Sequence, residues 1–343
     1  MGYKKIFSDK IPHIDYYINQ NNVYFKEGDS VIKIDEFLKR KIFFTKENSF
    51  VIENIIENKL CIRDKISLSY IELNSEVLFK TIPLHFQSSI QIKYLDNGFI
   101  VLRNLIKEND WEIFCIDNFG EIIWNHKDGR PFFSHGYQNK YLIYLFVEEK
   151  KIEMKSITDD SFIWQLSFSE LIQDKTATLN SEVIEINSKL YLIVLGSDSG
   201  GLFCVDVNSG KVLMHYPRVS RFLVKDENYI YSSKYENILC KINPITNEME
   251  EWDVNELVKD NGFENIHDHR CTADNGLVYF TQTLGDNKAK FGILDTNKKE
   301  LVYKYDFEPK NGGIGSIEVN NDRIYISTQD NTLHIFEKDK DLE

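Results

Sequence analysis

The chain has 343 residues, 42% of them hydrophobic and 28% charged, a balance that excludes a disordered chain and suits a globular one. Its formal net charge of −13 argues against a general nucleic-acid binder, which needs a basic footprint. No apolar run approaches the roughly 18–20 residues of a membrane span, and the first residues lack an apolar h-region, so no membrane association and a cytoplasmic location are expected. The five cysteines show no CxxC spacing, and Cys115, Cys204 and Cys240 sit inside apolar runs. They read as buried free thiols in a reducing compartment.

In chain order, Tyr3–Ser8 is a lone strand, and Ile14–Thr45 is the first complete repeat. Within it, Tyr16–Ile18 pairs with Val23–Phe25, and an outer hairpin follows over Ile32–Phe44. Further copies of that hairpin are Ser67–Phe79, Ile113–Trp124, Ile152–Trp164, Phe203–Tyr216, Leu239–Trp252 and Phe291–Tyr303. Each is an apolar run, a polar turn, a second apolar run and a bulky aromatic, which is hairpin patterning. Shorter strand pairs precede them, for example Glu182–Ile186 with Leu190–Leu195 across Asn187-Ser188-Lys189, and Phe222–Lys225 with Tyr229–Ser232.

Four strands at a period of roughly 40 residues predict an all-β fold, a β-propeller of four-stranded blades. The last blade has only three strands of its own, Gly315–Val319, Arg323–Thr328 and Thr332–Glu337. Tyr3–Ser8 is expected to complete it and close the ring, since an open sheet edge invites aggregation. This counts about eight blades in a single domain over residues 1–343, or seven if the irregular second copy, Ser49–Thr81, is not a full blade.

The clearest outer hairpin runs Cys204-Val205-Asp206-Val207-Asn208-Ser209-Gly210-Lys211-Val212-Leu213-Met214. Cys115-Ile116-Asp117-Asn118-Phe119-Gly120-Glu121-Ile122-Ile123-Trp124 repeats it with a turn one residue shorter, and Leu294–Asn297 with Tyr303 and Asn243–Thr246 with Trp252 are looser copies. This pattern resembles the pyrroloquinoline-quinone-type (PQQ-like) propeller repeat, in which a small residue and Asp precede Thr-Gly and a Trp ends the last strand. The resemblance covers nearly the whole chain. It implies the propeller fold and, for most such propellers, a scaffold role. Quinone-binding members are larger secreted enzymes, so no cofactor is expected here.

Two connections read as short helices with capping boxes, Ser167 with Glu170 and Asp253 with Glu256, the second closing near Gly262. Both join the outer strand of one blade to the inner strand of the next. In a propeller those connections share one face with the turns between second and third strands, and loops on that face carry binding. The densest polar stretch there is Ile266–Cys271. If it entered the inner strand of the seventh blade, His267 and His269 would share a face, placing an acid–base or metal-binding pair beside Arg270. A metal would need further ligands, for which His13, Asp15 and His135 qualify by blade position alone. No metal is assigned. His13, His85, His135, Arg218, Arg221, Arg270 and Lys310 recur near inner-strand entries and could together form a positive funnel. Two Gly-rich stretches, Leu195–Gly201 and Asn311–Gly315, lack the Gly-Lys-Ser/Thr of a phosphate-binding loop and read as turns.

No nucleophile or metalloprotease motif occurs. The expected function is therefore non-enzymatic: a propeller, monomeric on its own, that binds a protein partner through His13, His135, Arg218, Arg221, His267, His269 and Arg270. The acidic charge suggests an inhibitor or immunity-type protein for a basic toxin. The alternative is a channel-mouth ligand binder or an enzyme of the lyase or hydrolase class, using His267, His269 and Arg270.

Overall fold

The β-branched and aromatic runs form strands, and the short polar stretches between them form turns. A computed structural model describes residues 2–339 apart from 13, 14, 48, 57, 84–89, 95–99, 108–109, 118–120, 129–132, 138–140, 236, 269 and 285–287. Among the described residues the strands make eight antiparallel sheets. Two compact units divide the chain: residues 16–171 with 208–210, and residues 1–15, 172–207 and 211–343.

The first unit holds four sheets, each of four consecutive strands. The first contains Tyr17–Asn19, Asn22–Glu27, Ser30–Ile34 and Arg40–Thr45. The irregular second copy is nonetheless complete, with Val51–Ile56, Lys59–Arg63, Ser67–Glu72 and Leu78–Pro83. The other two end in Ile122–Asp128 and Phe162–Ser167. In the second unit, the sheet of Lys189–Leu195, Gly200–Asp206 and Val212–Pro217 has its inner position shared by two short strands, Thr178–Leu179 and Ile184–Ile186. The next two are Leu223–Lys225 through Met249–Asp253 and Thr272–Asp274 through Glu300–Asp306.

The turns follow from residue chemistry. Gln20-Asn21 and Asn187-Ser188 take left-handed φ at both positions, as does Asn275 followed by Gly276, the mirror-image turn that matches strand twist. In the outer hairpins an Asp or Asn side chain satisfies the turn's own amides. Asp295 Oδ1 accepts from Asn297 and Lys298 N–H at 3.0 Å each, and Asn243 Oδ1 from Ile245 N–H at 2.8 Å and Thr246 N–H at 3.2 Å. This explains why the repeat keeps Asp or Asn there.

The core lies between sheet faces. Tyr191, Ile193, Leu202 and Cys204 pack with Ile230, Cys240 and Ile242 of the next sheet, and Tyr231 and Leu239 with Val278, Phe280 and Leu294 of the one after. A buried tyrosine recurs in the second strand of six sheets: Tyr24, Tyr144, Tyr191, Tyr231, Tyr279 and Tyr325. Burial raises the phenol pKa values of Tyr24, Tyr191, Tyr231, Tyr279 and Tyr325, to about 12 for Tyr24 and Tyr325.

The last sheet joins the chain ends. Gly2–Lys10 pairs antiparallel with Thr332–Asp339, from Gly2 opposite Asp339 to Lys10 opposite Thr332. Beyond it lie Arg323–Thr328 and Ile314–Asn320. Tyr3 is buried with Phe291, Ile324 and Phe336, and Lys10 Nζ lies 2.8 Å from Asp330 Oδ2. His334 is enclosed here, its Nδ1 3.2 Å from Ser8 Oγ and its Nε2 3.2 Å from Thr328 Oγ1. A chain lacking Gly2–Lys10 exposes this core and a full sheet edge, so its Tm should fall by roughly 10 °C or more in a thermal melt.

Burial, aided by Lys5 and Lys10 and opposed by Asp330 and Glu308, pushes the His334 imidazole down to about 4. The unfolded chain binds that proton near its ordinary value of 6.5, so stability falls as pH drops from 6.5 to 4, by about 3 kcal/mol. The Asp330 carboxyl, desolvated but held by Lys10, Thr328, Thr332 and Asn311, titrates well below the usual carboxylate range. Its stabilisation is present above 3.8 and is lost on further acidification, the same direction. His334→Gln should flatten the loss between pH 6.5 and 4 in chemical denaturation.

Candidate functional site

The largest convergence of predicted site residues lies in the second unit, on the turns between second and third strands and on the connections between sheets. Strands Lys189–Leu195 and Gly200–Asp206 are joined by Gly196-Ser197-Asp198-Ser199. The Asp174 carboxylate organises this turn, accepting Ser197 N–H at 2.7 Å through Oδ2 and Thr176 N–H at 2.7 Å through Oδ1. Gly196 is required by that approach, since a Cβ there would stand 2.2 Å from Asp174 Oδ2. Gly196 N–H donates to Ser199 O at 2.9 Å and closes the turn.

After Val212–Pro217 the chain turns through Arg218, a non-glycine residue with φ of 67°. Ser220 is then locked by its backbone: its N–H donates to Ser233 O at 3.1 Å, and its carbonyl accepts Asn180 Nδ2–H at 3.3 Å. Tyr235 follows strand Ile230–Lys234 and leaves 60% of its surface exposed. The Arg221 guanidinium lies 3.6 Å from the Tyr235 ring centroid, a cation–π stack worth about 0.5–2 kcal/mol. The His267 ring approaches Tyr235 edge-on, with centroids 5.9 Å apart. His267 Nε2 hydrogen-bonds the Tyr235 carbonyl. A carbonyl only accepts, so Nε2 carries the proton and Nδ1 accepts from Ser233 Oγ at 3.4 Å. Both ring nitrogens of His267 are therefore engaged. Arg218, Ser220, Tyr235 and the 195–200 turn line an open cavity of about 350 Å³.

Of the predicted residues, Arg218, Arg221 and His267 come together here. Arg270 does not join them: its Nε donates to Gly315 O at 3.1 Å and its NH1 lies 3.5 Å from Asp268 Oδ1. The inner strand begins only at Thr272, and Ile266, His267, Asp268, Arg270 and Cys271 lie outside any strand, so His267 does not stand in the strand alternation expected to pair it with His269. His269, His13 and His85 lie outside the described residues. His135 stands in strand Phe133–Tyr137, opposite Ile143, in the other unit. Lys310 pairs with Glu308 at 2.7 Å. Among the described residues no three His, Cys, Asp or Glu side chains cluster as metal ligands.

Both predicted helices form, as Phe168–Ile172 and Asn255–Asp260. Ser167 Oγ accepts Glu170 N–H at 3.4 Å, as half of the expected box. The second box is not formed: Val254 is the N-cap without a side-chain bond, because Asp253 Oδ1 instead accepts Asn255 N–H at 2.9 Å in a tight turn. Its C-terminus does close near Gly262, whose N–H donates to Lys259 O at 2.9 Å. Asn237 ties this region to His267, since its Oδ1 accepts Ile266 N–H at 3.1 Å and its Nδ2 donates to Glu264 O at 3.1 Å. Sequence reasoning passed over Tyr235 and Ser220. The signal available was a tyrosine breaking the polar turn Lys234–Asn237 immediately after a buried strand.

No family model and no curated protein matches the chain. Solved structures do, over nearly its full length. BamB from Moraxella catarrhalis superposes with a TM-score of 0.62 at 11% identity, covering 98% of this chain and 100% of that one. Sqt1 from Saccharomyces cerevisiae gives 0.62 at 11%, covering 99% of each. The computationally designed Ika8 protein gives 0.62 at 10%, covering 94% and 95%. BamB and Sqt1 are β-propeller proteins, and this chain shares their fold. No helix among the described residues is long and apolar enough to cross a membrane.

Proposed function

We propose that the eight sheets are the blades of one propeller, closed where Gly2–Lys10 completes the last sheet, and that the molecule is a non-enzymatic scaffold for a protein partner. The observation that carries the binding reading is Tyr235, a largely exposed aromatic held rigid by the Arg221 stack and the His267 hydrogen bond. Tyr and Arg dominate binding energy at protein interfaces, and a side chain already ordered before association costs less entropy to bury. Arg218 and Arg221 give this patch a positive sign within an acidic molecule, so it suits an acidic segment of the partner.

The net charge of −13 favours a second use of the remaining surface, capture of a basic protein in the manner of an inhibitor or immunity protein. Burial pushes the Cys115 and Cys240 thiols up to about 12, which fits inert reduced cysteines in a cytoplasmic, otherwise monomeric protein. Native co-purification with mild crosslinking, comparing wild type with Tyr235→Ala, tests the partner reading. The variant loses the Arg221 stack, so its Tm should fall by no more than a few degrees while partner recovery drops about tenfold or more. Equal recovery with the variant, or a wild-type protein that stays monomeric throughout, would overturn it.

A further inference from the structure

The cavity beside Tyr235 has a chemistry that the partner reading does not use. Ser220 is only 4% exposed and contributes to the cavity wall, yet its Oγ has no hydrogen-bond partner among the described residues. A buried hydroxyl left unpaired is costly, and the Ser220 main chain is tied to Ser233 and Asn180, so the hydroxyl stays beside the cavity and gains a partner only by rotation about its own χ1. The groups around it are mixed. Arg218 offers donors only, the exposed Asp198 accepts only, and Ser197, Ser199 and Ser220 can do both. One positive and one negative side chain leave the described lining without net charge, so neither a phosphate nor a simple cation gains from it. The exposed Tyr235 ring adds a flat apolar platform at the same rim.

We infer that this cavity is a binding site for an uncharged polyhydroxylated small molecule about the size of a single sugar ring. Vicinal hydroxyls of such a ligand can donate to Asp198, accept from Arg218 and pair with the Ser220 hydroxyl once it rotates about χ1 towards the cavity, while the ring's C–H face lies on Tyr235. A volume of about 350 Å³ is at the small end for ligand cavities, which run from roughly 300 to 1,000 Å³. The main chain of the site is preformed: Asp174 holds the 195–200 turn, Arg221 holds Tyr235, and the Ser220 backbone is tied to Ser233. The inference does not depend on the partner reading, because Ser220 lies in the cavity wall and outside the exposed patch.

Calorimetric titration of the full chain with glucose, galactose, mannose and N-acetylglucosamine tests it, with glycine, acetate and inorganic phosphate as charged comparators. At least one pyranose should bind saturably in the millimolar range, with the comparators weaker. Ser220→Ala should weaken that binding several-fold while Tm stays equal or rises, since the variant removes an unpaired buried hydroxyl. Asp198→Asn, on an exposed turn, should weaken it about tenfold without unfolding the chain. Ser220→Ala should leave co-purification of a protein partner unchanged, so the two readings fail separately. No saturable binding by any of the four sugars, comparators that bind as tightly, or Ser220→Ala binding as wild type would each overturn the inference.

Discussion

The constraint behind the whole architecture is that each sheet is apolar on both faces. A four-stranded meander of that kind cannot stand in water alone, and each face must be covered by the next sheet. The second-strand tyrosines show how this is done. In the second unit, Tyr191 lies in the layer toward the sheet of Tyr231, Tyr231 in the layer toward that of Tyr279, and Tyr279 in the layer shared with Ile324 and Phe336. The hydroxyls of two of them reach polar partners: Tyr231 Oη donates to Asp226 Oδ2 at 2.8 Å, and Tyr279 Oη lies 3.2 Å from Tyr3 Oη. A large apolar body with one satisfied polar end can fill the space between sheets without stranding a dipole. The same demand explains the chain ends. The sheet of Ile314–Asn320, Arg323–Thr328 and Thr332–Asp339 acquires its fourth strand from Gly2–Lys10, which brings Tyr3 into the shared core and occupies an edge.

Polar chemistry is divided between two kinds of turn. On the outer hairpins, Asp35, Asn243 and Asp295 accept amides of their own loops, so those side chains are consumed in making the turn. On the connections that include residues 195–200, 218–221, 235 and 267, polar groups reach across elements: Asp174 to Ser197, Arg221 to Tyr235, and His267 to Ser233 and Tyr235. Cross-element bonds fix the position of one loop relative to another, which is what a preformed recognition surface requires. An exposed aromatic, two arginines and a buried unpaired hydroxyl meet where such bonds are concentrated.

His267 shows how the chemistry of a residue is decided by its neighbours. Beside His269 and Arg270 in the sequence it looks like an acid–base group or a ligand. In the fold, its protonated Nε2 is spent on a carbonyl and its Nδ1 on a serine, so it acts as a strut for the Tyr235 turn. Arg270 is drawn away by the Gly315 carbonyl and Asp268. Sequence adjacency within a loop does not bring side chains to one point, because the backbone there has no fixed alternation.

By itself the sequence determined the all-β class, the four-strand repeat, the placement of nearly every hairpin, and the pairing of the first strand with the last. It could do so because alternating apolar residues and Asp/Asn/Gly turns are local signals with a fixed period. The irregular second copy was also resolvable only as far as its pattern held, and the structure shows it as a complete sheet. Tertiary structure alone decided the candidate site. Arg218 with Ser220, Tyr235, and His267 come from three separate connections up to about fifty residues apart, and their meeting depends on how consecutive sheets stack. That stacking is set by side-chain packing between faces, which no local periodicity encodes. The same packing leaves Ser220 buried without a partner and Tyr235 exposed over a cavity.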